Sequence, residues 1–256
     1  TITGSSSANV ITSGSGADVI DGKGGADVIN AGAGDDTTSY WGAEASIDGG
    51  SGANTLLLRA VTTVNLANAD QTSGDISDVA NFQNVDASNL TSLQAVSIAG
   101  SAGVNTLTGG AGGDTIDGAG GADTIAAGLG DDAVAYHGGE AAIDGGGGTD
   151  TLTLAASGGV SGMNLAGAAG VDQTTGDSVA VTNFENIDAS ALSTALSITG
   201  SASANTIIGG SGADAIDGGG GLDVISAAGG DDAVHYRGTE VSIDGGSGVN
   251  TLLLDV

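Results

Sequence analysis

The residues of this sequence that could do chemistry are aspartates that recur every nine positions beside glycines. The clearest stretch, residues 109–117, reads Gly-Gly-Ala-Gly-Gly-Asp-Thr-Ile-Asp. Glycine at its first, second and fourth positions lets the backbone take positive φ and turn tightly, which directs carbonyl oxygens inward. The aspartate at the sixth position adds a hard anionic oxygen where the turn ends. Because Ca²⁺ prefers six to eight such oxygens at about 2.3–2.6 Å, the pattern indicates a hard-cation site.

The overall charge also favours a cation as the partner. The chain has 31 acidic and 3 basic residues, for a formal net charge of −28. Nucleic acid and anionic membrane surfaces need clustered lysine and arginine, so both are excluded as partners. The sequence has no cysteine, which excludes disulfides and thiolate metal sites. It has no apolar run of roughly 18 residues, so we expect no membrane insertion.

The nine-residue spacing belongs to a longer internal repeat, which runs over 1–96, 97–196 and a truncated third copy, 197–256. Each copy opens with six consecutive nonapeptides, numbered here one to six. They begin at Gly4, Ser13, Gly22, Ala31, Tyr40 and Gly49 in the first copy, at Gly100, Gly109, Gly118, Ala127, Tyr136 and Gly145 in the second, and at Gly200, Gly209, Gly218, Ala227, Tyr236 and Gly245 in the third. Position eight is Ile, Val or Leu in nearly every nonapeptide, with Thr38 as an exception.

This pattern resembles the nonapeptide of the RTX (repeats-in-toxin) family, Gly-Gly-x-Gly-x-Asp-x-(apolar)-x. The resemblance covers the six nonapeptides of each copy and is specific, because they keep one phase. It implies an all-β fold, a parallel β-roll or β-solenoid in which each nonapeptide forms one turn and one short strand, and two nonapeptides complete a coil. It also implies unfolded passage through a type I secretion channel and folding outside the cell.

The segments 58–99 and 154–199 lack the glycine-aspartate pattern but match each other, as in 81–88 and 183–190. Their short β-type runs are bounded by turn residues. We interpret these linking segments as wider, non-RTX solenoid coils that continue the stack; a separate small β module is the alternative. The predicted organisation is an RTX roll at 1–57, a linking segment at 58–99, a second roll at 100–153, a second linking segment at 154–199 and a third, truncated roll at 200–256.

In such a roll every second nonapeptide lies on the same edge, so a cation can lie between two stacked turns. The predicted ligands on one edge, paired in order, are Asp18 and Asp36, Asp114 and Asp132, and Asp214 and Asp232. Those on the other edge are Asp27, Asp123 and Asp223, with their stacking neighbours Asn9, Asn105 and Asn205. Asp150 completes the set, at a position where the other copies have Asn54 and Asn250. The sequence therefore predicts several Ca²⁺ ions.

The remaining acidic residues of the nonapeptides fall into three classes. Asp35, Asp131 and Asp231 at position five are expected to face solvent. The fifth nonapeptides lack aspartate at position six and carry Glu44, Glu140 and Glu240, which we predict to lie on an exposed edge; replacement of the missing ligand is the alternative. The aspartates at position nine are expected to stabilise the next turn or to lie just outside the metal's ligands.

No constellation of an enzyme is visible. His137 and His235 occupy different positions of the repeat, whereas a catalytic or metal-binding role would require a second functional residue at a fixed spacing from each. The phosphate-binding and zinc-protease motifs are absent. Tyr40, Tyr136 and Tyr236 open the fifth nonapeptides and are predicted to pack or to cap an edge. Any catalytic domain of a parent enzyme would lie outside this chain.

The leading functional hypothesis is a calcium-binding structural repeat protein of the bacterial cell surface or extracellular matrix, such as an S-layer component, adhesin or filament. Neither end shows a cap, which favours further repeats in a longer chain or self-association, end to end or lateral. The alternative is a calcium-dependent secretion and folding module of a type I secreted toxin or exoenzyme. A face that binds ice or carbohydrate is a third hypothesis. Such a face needs regular rows of threonine or aromatic side chains, whereas the threonines here occur mainly in one copy.

Overall fold

In the computed structural model, which describes residues 1–156 and 158–255, every regular element is a β-strand. The chain forms two compact units, Thr1–Gly130 and Asp131–Val256. Within the described ranges there is no helix that could cross a membrane. The all-β fold predicted from the sequence is therefore confirmed.

The strands of the first compact unit are short and follow the nonapeptide spacing. They are β1 (Ile2–Thr3), β2 (Val10–Thr12), β3 (Val19–Asp21), β4 (Val28–Asn30), β5 (Thr37–Tyr40), β6 (Ser46–Asp48), β7 (Thr55–Leu58), β8 (Thr63–Asn65), β9 (Thr72–Ser73), β10 (Asp78–Ala80), β11 (Asn84–Asp86), β12 (Ser97–Ala99), β13 (Thr106–Thr108), β14 (Thr115–Asp117) and β15 (Thr124–Ala126). They form three sheets in the orders β1-β3-β5-β7-β11-β13-β15, β10-β6-β4-β2 and β14-β12-β8-β9. The pairs are parallel except β8 with β9.

The second compact unit repeats this architecture. Its strands are β16 (Ala133–Tyr136), β17 (Ala142–Asp144), β18 (Thr151–Leu154), β19 (Gly162–Asn164), β20 (Thr174–Thr175), β21 (Ala180–Thr182), β22 (Asn186–Asp188), β23 (Ser197–Thr199), β24 (Thr206–Ile208), β25 (Ala215–Asp217), β26 (Val224–Ser226), β27 (Ala233–Tyr236), β28 (Ser242–Asp244) and β29 (Thr251–Leu254). The sheet orders are β16-β18-β22-β24-β26-β28, β20-β19-β23-β25-β27-β29 and β17-β21. Only β19 and β20 pair antiparallel among these described strands.

The core is a set of columns made by the apolar residue at position eight. Side chains alternate between the two faces of a strand, so a strand of three residues buries only its middle one. Ile11, Ile29 and Ile47 stack in register on β2, β4 and β6. Ile29 and Ile47 are almost wholly buried. Each nonapeptide thus adds one branched side chain to a column, and the parallel β-solenoid predicted from the RTX pattern is confirmed.

The linking segments add strands to the same sheets rather than forming a separate module. In the first segment, β10 pairs with β6, β8 pairs with β12, and β11 lies between β7 and β13. The buried amide of Gln71 donates to the carbonyl of Phe82 and accepts from its N–H. Gln173 and Phe184 repeat both bonds in the second segment. The sequence shared by the two linking segments therefore preserves the same pair of buried hydrogen bonds. Phe82 and Phe184 fill the core beside these bonds.

The tyrosines that open the fifth nonapeptides connect the rolls to the linking segments. Tyr40 and Tyr136 are buried, as the packing prediction requires. The Tyr40 hydroxyl donates to Asp75 Oδ2 over 2.8 Å, and the Tyr136 hydroxyl donates to Asp177 Oδ2 over 2.6 Å. Burial and the neighbouring carboxylate Asp75 raise the pKa of Tyr40 to about 12.

Candidate metal centre

The aspartates at position six lie where each turn ends and the following strand begins. Although charged, they are almost fully removed from solvent, with the exception of the half-buried Asp18. The buried members are Asp27, Asp36, Asp114, Asp123, Asp132, Asp150, Asp214, Asp223 and Asp232, each no more than 2% exposed. Carboxylates in such surroundings are stable only when hydrogen-bonded, paired with a cation or neutralised.

One oxygen of each carboxylate joins two stacked coils. Asp18 N donates to Asp36 Oδ1 over 2.8 Å, and Asp214 N donates to Asp232 Oδ1 over 2.8 Å. The same bond across eighteen residues runs from Asn9 to Asp27, Asp36 to Asn54, Val96 to Asp114, Asn105 to Asp123, Asp132 to Asp150, Leu196 to Asp214, Asn205 to Asp223 and Asp232 to Asn250. The structure thus brings together the predicted pairs Asp18 with Asp36 and Asp214 with Asp232, and each asparagine of a first nonapeptide with the aspartate eighteen residues later. Val96 and Leu196 were not predicted as partners, and the predicted pair Asp114 and Asp132 lies in different compact units.

The second oxygen distinguishes two groups among eight of these aspartates. Five of them have an Oδ2 atom that is buried and receives no hydrogen bond within the described structure: Asp27, Asp36, Asp150, Asp223 and Asp232. In the second nonapeptides the corresponding oxygen does accept a hydrogen bond, from the Ser13 hydroxyl to Asp18, from Gly110 N to Asp114 and from Gly210 N to Asp214. A buried anionic oxygen without a donor is costly, and a bound cation removes that cost.

Backbone and side-chain oxygens converge beside the glycine at position one. A methyl group placed on Gly4 would lie 2.6 Å from Gly22 O and 2.5 Å from Asn9 Oδ1. At Gly218 it would lie 2.6 Å from Asp223 Oδ2. Carbonyl and carboxylate oxygens are the donors that Ca²⁺ prefers. The residues present therefore fit this ion, with one carboxylate from each turn and carbonyls from its neighbours.

Side chains alone do not complete a shell for such an ion. Over the described residues, no group of three or more His, Asp or Glu side chains converges on one point. Since Ca²⁺ takes six to eight oxygens, the rest of the shell has to come from backbone carbonyls and water. This requirement agrees with the structure, in which each turn supplies only one carboxylate.

Glycine at position one is required by this close approach and not by its backbone angles, contrary to the sequence-based expectation. Gly22, Gly109 and Gly218 do not have positive φ. Positive φ occurs instead at positions two and four of the fourth nonapeptide, as at Gly128 (φ 110°) and Gly130 (φ 113°). At position one, only the missing side chain leaves room for the oxygens.

Replacing Gly109 with alanine should therefore destabilise the roll. The added methyl group would overlap the carbonyl oxygen of Ala127 and lie 2.6 Å from Asp114 Oδ2. We expect the free energy of unfolding in calcium to fall by about 1–3 kcal/mol. Gly120→Ala is the matched control, because its methyl group would meet no atom within 4 Å. Equal urea midpoints for the two variants would contradict the packing argument.

The asparagines at position six satisfy their own polar atoms. Asn105 Nδ2 donates to Gln83 O over 2.6 Å, and Asn205 Nδ2 donates to Glu185 O over 2.6 Å. The oxygen of Asn105 accepts from Ser101 N, and that of Asn9 accepts from Ser5 N. Unlike the five aspartates whose Oδ2 receives no hydrogen bond, these asparagines have no buried side-chain oxygen without a hydrogen bond in the described structure. Their role as ligands stays a prediction.

Burial opposes ionisation of several of the aspartates. It is the main cause that raises the pKa of Asp150 to about 7, and the Asp132 and Glu185 carboxylates add to the shift. Burial likewise raises the pKa of Asp114, Asp214 and Asp223. Without a cation these carboxyl groups therefore lose their protons at a higher pH than ordinary aspartates do.

The positions of the other acidic residues agree only in part with the predictions made from the sequence. Those at position five, such as Asp35, are exposed as predicted. Those at position nine stabilise turns, as where Gly219 N donates to Asp217 Oδ1. The prediction of an exposed edge is wrong for Glu44 and Glu140, which are buried. The sequence analysis also missed Gln83 and Glu185, which accept the N–H of Asn54 and Asp150 and continue the ladder of bonds between coils.

Comparison with protein families matches three segments of the chain, 3–38, 99–134 and 199–234, to the model described as RTX calcium-binding nonapeptide repeat (4 copies). Each match covers the first four nonapeptides of a copy. These segments are RTX calcium-binding nonapeptide repeats. The chain thus contains three sets of RTX calcium-binding nonapeptide repeats, as the spacing of its glycines and aspartates predicted. Comparison with curated proteins finds no significant match.

Proposed function

We propose that this RTX repeat protein is a structural component of a bacterial cell surface or extracellular matrix, in an S-layer, adhesin or filament, that folds on binding several calcium ions and carries no catalytic activity. The observation that supports calcium-coupled folding most directly is the set of buried Oδ2 atoms without a donor, as at Asp36 and Asp232. Without a cation these carboxylates oppose folding, so the free energy of metal binding becomes free energy of folding. Extracellular sites typically bind calcium at about 10⁻⁴–10⁻³ M.

The leucines of β29 are exposed, unlike their equivalents in the first copy. Leu252, Leu253 and Leu254 are 53%, 38% and 64% exposed. The corresponding Leu56 and Leu58 on β7 are buried, and β11 pairs with that strand.

A calcium titration followed by circular dichroism and light scattering tests this proposal. We expect part of the β-strand signal to be lost in EDTA at pH 7.5 and to return with calcium, with particles that grow as the strands form. An unchanged spectrum in EDTA would overturn calcium-coupled folding. Strands that form in a chain that stays monomeric would overturn assembly and favour a secretion and folding module.

A further inference from the structure

The fifth nonapeptide of each copy is built differently from the four before it. It lies outside the segments that match the RTX family and has Ala45, Ala141 or Val241 where the others carry aspartate or asparagine. We propose that this nonapeptide forms a turn that binds no calcium, because its own glutamate occupies the turn, and that it ends the row of calcium sites on its edge of the roll. The inference rests on the proposed calcium binding of the preceding turns.

The glutamate at position five folds back onto the backbone of its own turn. Glu44 Oε1 accepts from Trp41 N over 2.9 Å, and its Oε2 accepts from Gly42 N and Ala43 N over 2.9 and 3.1 Å. Glu140 accepts from the N–H groups of residues 137, 138 and 139 over 2.7, 2.8 and 3.0 Å. Glu240 repeats the three bonds with residues 237, 238 and 239. The same arrangement thus occurs in all three copies.

This turn has the opposite polarity to a calcium site. Successive backbone N–H groups that point to one place form a partial positive charge and bind an anion. Here that anion is the glutamate, and both of its oxygens are engaged. A cation in the same turn would face amide hydrogens, whereas the turn at Gly4 presents the oxygens of Gly22 and Asn9.

The ladder of carboxylate bonds also stops at this turn. Ala45 has no side-chain oxygen to accept a bond from the coil below, and its N–H donates instead to the carbonyl of Asp27 over 2.8 Å. In the third copy Val241 N donates to the carbonyl of Asp223 over 2.8 Å. On the other edge the ladder continues from Asp36 through Asn54 to Gln83. The two edges of the roll therefore differ in how far a row of ions can extend.

The position of the turn gives it a role at the junction with the linking segment. The residue before Trp41 is Tyr40, whose hydroxyl bonds Asp75 of that segment. The indole of Trp41 donates to Asp21 Oδ1 over 2.9 Å. Glu44 closes this turn without an ion. The contacts of Tyr40 and Trp41 are thereby held in place where the roll meets the linking segment.

Counting bound calcium tests the inference directly. The triple variant Glu44→Gln, Glu140→Gln and Glu240→Gln keeps the size of the side chain and one acceptor oxygen but removes the charge. We expect equilibrium dialysis with ⁴⁵Ca²⁺ to find as many ions per chain as in the wild type. The matched variant Asp27→Asn, Asp123→Asn and Asp223→Asn, on the same edge, should bind fewer. Loss of ions from the glutamate variant would overturn the inference.

A second measurement keeps the test informative if the triple variant folds poorly. Trp41 is the only tryptophan of the chain, so its emission reports on the first of these turns. We expect Glu44→Gln alone to lower the temperature at which Trp41 emission shifts to the red in excess calcium, with the number of bound ions unchanged. An unchanged transition temperature would contradict the closing role of Glu44. A wild type that binds no calcium would refute the proposed function instead, and the Trp41 result would still decide how the turn is closed.

Discussion

Replacing Asp36 with asparagine should weaken calcium binding and, without calcium, stabilise the protein. Asp36 Oδ1 accepts the N–H of Asp18, which an amide oxygen can also do, as Asn54 does at the next coil. The variant therefore keeps the bond between coils, removes the charge and replaces the buried, unpaired Oδ2 with an amide NH2 group. That group can donate to a backbone carbonyl, as Asn54 Nδ2 does to Asn81 O. We expect the calcium midpoint for folding to rise roughly tenfold, because affinity depends on the charge of the ligands. The metal-free protein should gain about 1–3 kcal/mol.

The neighbouring Asp35 provides a matched control for this experiment. Its side chain is exposed, and its Oδ1 accepts the N–H of Ala53 over 2.8 Å. Asp35→Asn therefore makes the same chemical change one residue away, outside the candidate metal centre. We expect its calcium midpoint and metal-free urea midpoint to stay close to those of the wild type. If both variants shift the calcium midpoint equally, the loss reflects net charge and not a ligand at Asp36.

The turns and the core could be predicted because the same nine-residue period specifies both the turn residues and the buried residue. Glycine and aspartate define the turn, and the apolar residue two positions after the aspartate defines the buried strand. Ile29 follows Asp27 in this way and lies fully inside a column. The course of the linking segments does not follow from the same period, because their spacing of apolar and turn residues is irregular. A sign was nevertheless present: Gln83 stands two residues before the buried Val85 and accepts a backbone bond as the aspartates do.

The fifth turn was misjudged because position five faces solvent elsewhere. Asp35 has a short side chain at that position and stays exposed. Glutamate has one more methylene group, which lets its carboxylate reach the three N–H groups of its own turn. The informative feature is the combination of glutamate at position five with no oxygen at position six, as in Glu44 and Ala45, repeated in every copy. Hydrogen-bond geometry, which spacing alone does not contain, was needed to interpret it.

The metal-free protein should become less stable as the pH rises from about 4 to about 7. Burial raises the pKa of Asp150 to about 7 from its ordinary value of 3.8, and the pKa values of Asp214 and Asp223 shift in the same direction. The folded chain therefore binds more protons than the unfolded chain in this window. The stabilisation is complete below the unfolded pKa and is lost as the pH passes through the folded value.

Thermal unfolding at pH 5.0 and pH 7.5, in buffers depleted of calcium, measures this dependence. Asp217 has the opposite shift, because its bond to Arg237 lowers the pKa to about 2, but it titrates below the tested range. Asp150→Asn should flatten the slope between the two pH values, and asparagine already stands at the corresponding positions, Asn54 and Asn250. In saturating calcium the order should reverse, since the ion replaces the protons and binds the ionised form. A metal-free melting temperature that rises with pH would contradict the assignment of these carboxylates as the groups that oppose folding.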